Sequence, residues 1–307
     1  MSTSRFPTVL DCLVIGGGPA GLVACVYLAR YRRTVALVDA GESRAAWIPR
    51  TRNVLAFPDG VVGTALLARL REHAMRYGIE PWNARVRSLS RTADDLFEAD
   101  LGGDLVRART VILCTGARDV APDIAGLEEG LRNGQVRYCP VCDGFETQHQ
   151  RVAVLGREGH GLHEARFVAG FDNEVTWLSM GSRGSVASED LRSLEDAGVR
   201  VANGLPVAIR CDAQRGVEVT MEDDQTLLFD VLYPALGQRH ASGLATGLGA
   251  RAADDGQLEV DAHQRTSVPG LWAAGDVAQG LNQINVAAGQ AAIAATAVHN
   301  ALPGRTR

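Results

Sequence analysis

From Thr8 to Ile15 the chain is apolar almost without interruption, with one acid at Asp11. Such a run predicts a strand covered on both faces, as in a parallel sheet. It breaks into a glycine-containing turn, Gly16 to Gly21, after which Leu22, Val23, Val26 and Ala29 recur at helical spacing. Pro19 suits the first helical position, where a missing N–H costs nothing. Arg30, Arg32 and Arg33 are expected to complement the C-terminal end of that helix. Thr34–Val38 predicts the next strand, ended by Asp39, which completes a βαβ unit. An amphipathic helix is predicted over Ala65–Tyr77. Val86–Ser90, Leu96–Leu101 and Leu105–Ala108 alternate like a β-meander, and Thr110–Cys114 is an apolar strand closed by Thr115-Gly116.

The pattern then repeats. Arg151–Leu155 predicts a strand, Gly156–Gly161 a turn, Leu162–Ala169 a helix, Val175–Ser179 a strand and Ser188–Ala197 a helix. A second meander is expected over Val207–Cys211, Gly216–Met221 and Thr226–Phe229, and Val231–Leu236 returns as a strand. The last segment, Gly256 to Arg307, offers one strand at Leu271–Ala274 and a small-residue helix from about Val286 to Asn300. It is too little to fold alone and is expected to complete the first domain. The fold class is therefore α/β: two Rossmann-like three-layer dinucleotide-binding domains, the second inserted into the first. Residues 1–116 and 243–307 make the first, and 117–242 the second.

A chain of 307 residues, 46% hydrophobic, can bury two such cores. Its net charge of −5 and scattered basic residues argue against nucleic acid as a partner. No apolar run approaches the roughly 20 residues of a membrane helix. Met1–Pro7 has no apolar region of the signal-peptide kind. The expected location is the cytoplasm, where six cysteines do not make a disulfide framework. Cys12, Cys25, Cys114 and Cys211 lie in apolar or strand-like runs and read as small buried hydrophobes. Cys139 and Cys142 are different: C-x-x-C spacing lets them close and reopen a small disulfide ring, a store for two electrons. A metal there would need two further ligands. His149 and His160 are too isolated to supply them, so no metal site is expected.

Gly16-x-Gly18-x-x-Gly21 follows a strand and opens a helix. The first glycine makes a tight turn, the second lets backbone approach a pyrophosphate, and the third lets helix and strand pack closely. The helix N-terminus adds positive potential, and Asp39 stands where an acid can bind ribose hydroxyls. The second loop, Gly156-Arg157-Glu158-Gly159-His160-Gly161, keeps only the first and third of these glycines. Glu158 at the middle position obstructs the backbone approach and repels phosphate. The following strand runs into Trp177-Leu178-Ser179-Met180-Gly181-Ser182-Arg183, with no acid for a ribose and no basic pair for a 2′-phosphate.

Together these residues resemble the low-molecular-weight thioredoxin reductases over nearly the whole chain. In that family C-x-x-C-D-G precedes the second dinucleotide loop, as Cys139-Pro140-Val141-Cys142-Asp143-Gly144 does here. Gly270-Leu271-Trp272-Ala273-Ala274-Gly275-Asp276-Val277 is similar to its C-terminal FAD motif. Gln283 matches the glutamine beside its flavin ring, while Asn282 departs from the pattern. Asn53 and Pro58 fall in a stretch like its Asn-containing FAD loop, and Thr115-Gly116 matches its interdomain strand end. The resemblance implies FAD, held by Gly16, Gly18, Pro19, Ala20, Gly21, Asp39, Asn53, Thr115, Gly116, Gly275, Asp276 and Gln283. It implies Cys142 as the sulfur that meets the flavin, Cys139 as the exchanging thiol and Asp143 as the acid or base that manages the thiol proton. Pro140 starts a helix whose N-terminus favours the Cys139 thiolate. A homodimer is implied, as is rotation of the smaller domain about hinges near Gly116–Val120 and His240–Thr246.

The departures fall on the second loop, where the family has GxGxxA followed by a His-Arg-Arg cluster. NADPH use is therefore left open, as in members that keep FAD and the dithiol without it. The donor could be NADPH, NADH, a ferredoxin-type protein or a dithiol. The substrate is a thioredoxin-like protein or a small disulfide or dithiol. Three readings follow: a thioredoxin-reductase-like oxidoreductase, a dithiol oxidase that passes electrons to oxygen, and a redox-sensing flavoprotein with little turnover. The dithiol oxidases often carry His after the second cysteine; Asp143 here favours the first reading.

Overall fold

The structure is a computed structural model that describes residues 9–181, 186–212 and 214–304. In chain order its elements are β1 (Leu10–Ile15), α1 (Pro19–Arg30), β2 (Val35–Asp39), α2 (Gly63–Met75), β3 (Trp82–Asn83), β4 (Ser88–Arg91), β5 (Phe97–Asp100), β6 (Leu105–Leu113) and β7 (Ala117–Asp119). There follow α3 (Leu127–Asn133), α4 (Pro140–Asp143), β8 (Arg151–Gly156), α5 (His160–Ala169), β9 (Glu174–Ser179), α6 (Ser188–Asp196) and β10 (Arg200–Val201). The chain closes with β11 (Pro206–Asp212), β12 (Gly216–Met221), β13 (Thr226–Phe229), β14 (Val231–Ala235), β15 (Gln238–His240), α7 (Gly243–Thr246), β16 (Leu271–Ala273) and α8 (Ile284–Ala301).

The described chain divides into two compact units. One takes residues 9–46, 64–118 and 239–304, the other 47–63 and 119–238. The segment 47–63, which sequence pattern placed with the first domain, groups with the second. There Asn53 Nδ2 donates to the Val141 carbonyl at 3.3 Å, and Arg52 lies 3.7 Å from Glu146. Residues 243–246, expected in a hinge, form the helical turn α7.

In the first unit the sheet order is β3-β2-β1-β6-β5-β4, with β16 beside β6. β1 runs parallel to β2 and β6, as its apolar run, broken only by Asp11, predicts. β6 is one strand where the pattern predicted two. Residues 105–109 alternate exposed and buried, while 110–113 are all buried. The first half pairs antiparallel with β5 and the second half parallel with β16. A change of neighbours along one strand produces the change of pattern. α8 packs on α1, and its buried residues are mostly small, among them Ala291, Ala294 and Ala295. Arg33 does not complement α1 as expected. Its guanidinium donates to the His299 and Pro303 carbonyls, both at 2.9 Å, and so satisfies the C-terminal end of α8.

In the second unit β10-β9-β8-β14 form a parallel sheet and β11-β12-β13 an antiparallel one. Alternate residues of β8 serve two cores. Val152 and Val154 pack with Leu162, Ala165 and Val168 of α5. Ala153 and Leu155 pack with Val217, Val219 and Met221 of β12. The short helix α3 gave no periodic signal, because two turns are too few to establish one. Among the described residues, no helix is long and apolar enough to cross a membrane.

Candidate functional site

The first loop is closed on itself so tightly that two of its glycines are obligatory. Gly16 has φ +108°, and a Cβ on it would sit 2.2 Å from the Cys114 carbonyl oxygen. A Cβ on Gly21 would sit 1.8 Å from the Gly16 oxygen. The turn is thus pressed between the end of β6 and the first turn of α1. Gly18 caps α1 without any side-chain hydrogen bond, Pro19 follows it, and the first turn carries no acid. Those N–H groups and the helix dipole fit the pyrophosphate of a dinucleotide. Asp39, buried at the end of β2, accepts from the Gly17 and Gly41 amides, both at 3.1 Å, and Arg71 lies 3.4 Å from its other oxygen. The acid expected to bind ribose therefore also pins the loop.

The C-terminal motif arrives at the same place. A Cβ on Gly275 would lie 3.0 Å from that of Ala20, and the Gly275 amide donates to Gln290 Oε1 at 2.8 Å. Asp276 is 3.6 Å from Arg44, and its carbonyl meets His240 Nδ1 at 2.5 Å. Thr115 donates to the Ala241 carbonyl at 2.7 Å, and Gly116 accepts from the Ala241 amide at 2.9 Å. Gln283 precedes α8 in extended conformation. Gly16, Gly18, Pro19, Ala20, Gly21, Asp39, Thr115, Gly116, Gly275, Asp276 and Gln283 all belong to the first unit. Asn53 belongs to the other unit. Arg44 and Gln290 were not anticipated; each is one polar residue in an ordinary loop or helix pattern.

Gly21→Ala is expected to cost about 3 kcal/mol or more, because backbone stands in the way and overpacking cannot be relieved. Purified protein should carry little FAD. Gly289→Ala, on an exposed stretch of α8 with nothing within 4 Å of the new Cβ, is the control. It should be neutral or stabilising by about 0.5–1 kcal/mol. Thermal unfolding and the ratio of flavin to protein absorbance check both.

The second loop keeps the close packing of Gly156 against Gly161. A Cβ added to either Gly156 or Gly161 would lie within 2.9 Å of the other's Cα, so neither can carry a side chain. Glu158 is exposed at the loop, beside a cavity of about 350 Å³ lined by Arg157, Glu158, Ser179, Met180 and Gly181. Where β2 ends in Asp39, β9 ends in Ser179, whose hydroxyl oxygen accepts from the Gly181 amide at 3.1 Å. Arg183 lies outside the described residues.

Cys139 and Cys142 are joined by a disulfide, with Cα atoms 5.3 Å apart. Pro140 does start a helix, but α4 is a single turn followed by a 3₁₀ turn at Gly144–Thr147. The dipole of a long helix is not available to Cys139; local N–H groups are. Asp143 makes no capping bond and is buried. Tyr233 donates to its Oδ1 at 2.7 Å, and Arg137 stands 3.7 Å from its Oδ2. Burial pushes the Asp143 carboxyl above the ordinary range, against the opposing effects of Arg137 and Tyr233. Burial, with the nearby carboxylate, also holds the Tyr233 hydroxyl far above the usual phenol range. The other thiols are inert by the same cause: burial pushes Cys12 up to about 12 and raises Cys25, Cys114 and Cys211. Arg137 and Tyr233 escaped the sequence reading. The signal available was a phenol inside the otherwise apolar strand Val231–Ala235.

A dinucleotide-type loop in one unit and a C-x-x-C disulfide beside a buried acid in the other point to the class of dithiol–disulfide oxidoreductases. A family model described as pyridine nucleotide-disulphide oxidoreductase matches residues 10–291, and the chain belongs to that family of FAD-dependent enzymes. It is 30% identical to a thioredoxin reductase of Aquifex aeolicus, over 97% of this chain and 95% of that one. It is 31% identical to an alkyl hydroperoxide reductase protein of Pseudomonas putida, over 95% of this chain and 58% of that one. Among solved structures, HlmI has TM-score 0.87 and 29% identity, covering 98% of this chain and 93% of that one. Thioredoxin reductase of Streptococcus pyogenes has TM-score 0.86 and 25% identity, covering 95% and 97%.

Proposed function

We propose that this enzyme exchanges electron pairs between FAD and a disulfide or dithiol substrate of the thioredoxin type through Cys139 and Cys142, without NADPH as its donor. FAD, held by the first loop, would store and release the electron pair. The cysteines do the rest. In the reducing direction the Cys139 thiolate attacks one sulfur of the substrate disulfide, forming a mixed disulfide and expelling the first substrate thiolate. The Cys142 thiolate then attacks Cys139, closing the disulfide seen here and expelling the second. Asp143 carries a proton at the carboxyl group beside Cys142, and giving it to a departing thiolate completes a substrate thiol. The observation that carries the reading is the disulfide itself, closed next to a buried acid that retains its proton more readily than an ordinary carboxylate.

Glu158 supports the exclusion of NADPH, since it stands where a pyrophosphate calls for bare backbone. Ser179, at the strand end where an acid would bind free ribose hydroxyls, speaks against NADH. The same two residues favour a second reading, in which a substrate dithiol reduces the cysteine pair and oxygen finally takes the electrons. An anaerobic titration with NADPH, NADH, reduced ferredoxin and a dithiol in turn tests both. The expected result is no fast flavin bleaching by NADPH. Fast bleaching by NADPH would overturn the exclusion. Bleaching by dithiol, with peroxide formed at a matching rate in air, selects the oxidase.

A further inference from the structure

Asp143 is a buried carboxylate held by two side chains that the chemistry above does not use. The segment 135–137 runs beside β14: the Leu232 amide donates to the Gln135 carbonyl at 2.9 Å, and the Arg137 amide to the Leu232 carbonyl at 3.0 Å. This pairing brings Arg137 next to Tyr233. Arg137 is itself steadied by a 2.7 Å bond from Nε to the Gly134 carbonyl. Tyr233 is wholly buried, so its hydroxyl has no water to turn to. Its bond to Oδ1 and the approach of Arg137 to Oδ2 engage both oxygens of one carboxyl group.

We propose that Tyr233 and Arg137 are positioning residues for Asp143, each holding one carboxyl oxygen so that the group beside Cys142 keeps a single orientation. The inference rests on the role given to Asp143 above. Both partners favour the carboxylate, Tyr233 through a donated hydrogen bond and Arg137 through charge. They oppose the desolvation that would otherwise lock the proton in place. The remaining charged groups facing Asp143 are Glu146, which opposes its ionisation, and Arg52, which favours it and lies 3.7 Å from Glu146. Those two act in opposite senses, so burial, the largest influence, is opposed chiefly by Arg137 and Tyr233.

Tyr233→Phe removes one oxygen and keeps the ring that fills the core; Arg137→Gln removes the charge. The readout is the pH profile of the reduced enzyme reacting with cystamine, an alkyl disulfide. Each variant should move the limb that reports Asp143 to higher pH, by about one unit. Arg137→Lys should restore most of the wild-type profile. Flavin content and the melting temperature serve as controls, since a purely structural role would lower stability and leave the limb where it is. An unmoved limb in both variants, with the limb abolished in Asp143→Asn, overturns the inference alone. An unmoved limb in Asp143→Asn overturns the role of Asp143, and the inference with it.

Discussion

Cys139→Ser and Cys142→Ser should each abolish turnover, a loss on the order of 10³-fold or more, while flavin stays bound. Neither sulfur can be spared, because two electrons need both atoms of the disulfide and no other thiol can substitute. Cys12, Cys25, Cys114 and Cys211 are buried, with thiols raised above the range in which thiolate forms at neutral pH. The two variants should nevertheless differ in what they trap. With Cys142→Ser, a disulfide substrate remains bonded to Cys139, since the thiol that would release it is gone. With Cys139→Ser, that adduct should be scarce. Mass spectrometry of the intact protein after incubation with cystamine reads the difference, and the opposite trapping pattern would reverse the roles of the two cysteines. Retained flavin absorbance shows that the unit with the cofactor loop keeps its fold, and an unchanged melting temperature shows the same of the unit that carries the cysteines.

Asp143→Asn should lower the rate of reduction of an alkyl disulfide by about 10²–10⁴-fold, the usual contribution of a positioned acid. Asparagine still offers an oxygen to the Tyr233 hydroxyl, so the fold is preserved. Alkyl thiolates are poor leaving groups that gain most from a proton. The aromatic thiolate released from 5,5′-dithiobis(2-nitrobenzoate) has a low pKa and leaves unaided. The loss should therefore be large with cystamine and small with the aromatic disulfide. Equal losses with both would mean that Asp143 acts on structure and not on the proton. The pH dependence has a definite sign. The folded-state pKa of Asp143 is raised, so the acid form persists above the ordinary carboxylate range. Proton donation in wild type is fully present at low pH and lost as pH rises through that raised value. Stability follows the same direction. Between the unfolded and folded pKa values the native state binds more protons, so the contribution of this residue to stability declines as pH rises. Asp143→Asn removes both dependences.

What could be read in the chain is what depends on neighbours in sequence. The first loop is an example: Gly16, Gly18 and Gly21, the strand before them and the helix after them lie within some twenty residues, so spacing alone carries the chemistry. The C-x-x-C pair is another, since three residues fix the reach between two sulfurs. The repeated strand–turn–helix pattern gave the fold class in the same way, because buried parallel strands need unbroken apolar runs. Sequence pattern also shows Glu158 standing between the glycines of the second loop.

The tertiary structure decided everything that depends on pairing between distant segments. Arg33 looked like a complement to its own helix; the approach of α8 drew it to the His299 and Pro303 carbonyls instead. Leu105–Ala108 and Thr110–Cys114 looked like two strands; β5 and β16, meeting the two halves of one strand, made the difference. The segment around Asn53 was joined to the redox helix by bonds to residues nearly ninety positions away. The carboxyl of Asp143 owes its raised proton affinity to burial, opposed by Arg137 and by Tyr233, ninety positions on, which the alignment of residues 135–137 with β14 brings to it. A sequence states which groups are present and how nearby ones are spaced. Burial and partnership, which set the proton affinity of a carboxyl group, exist only once strands from separate parts of the chain have taken their register.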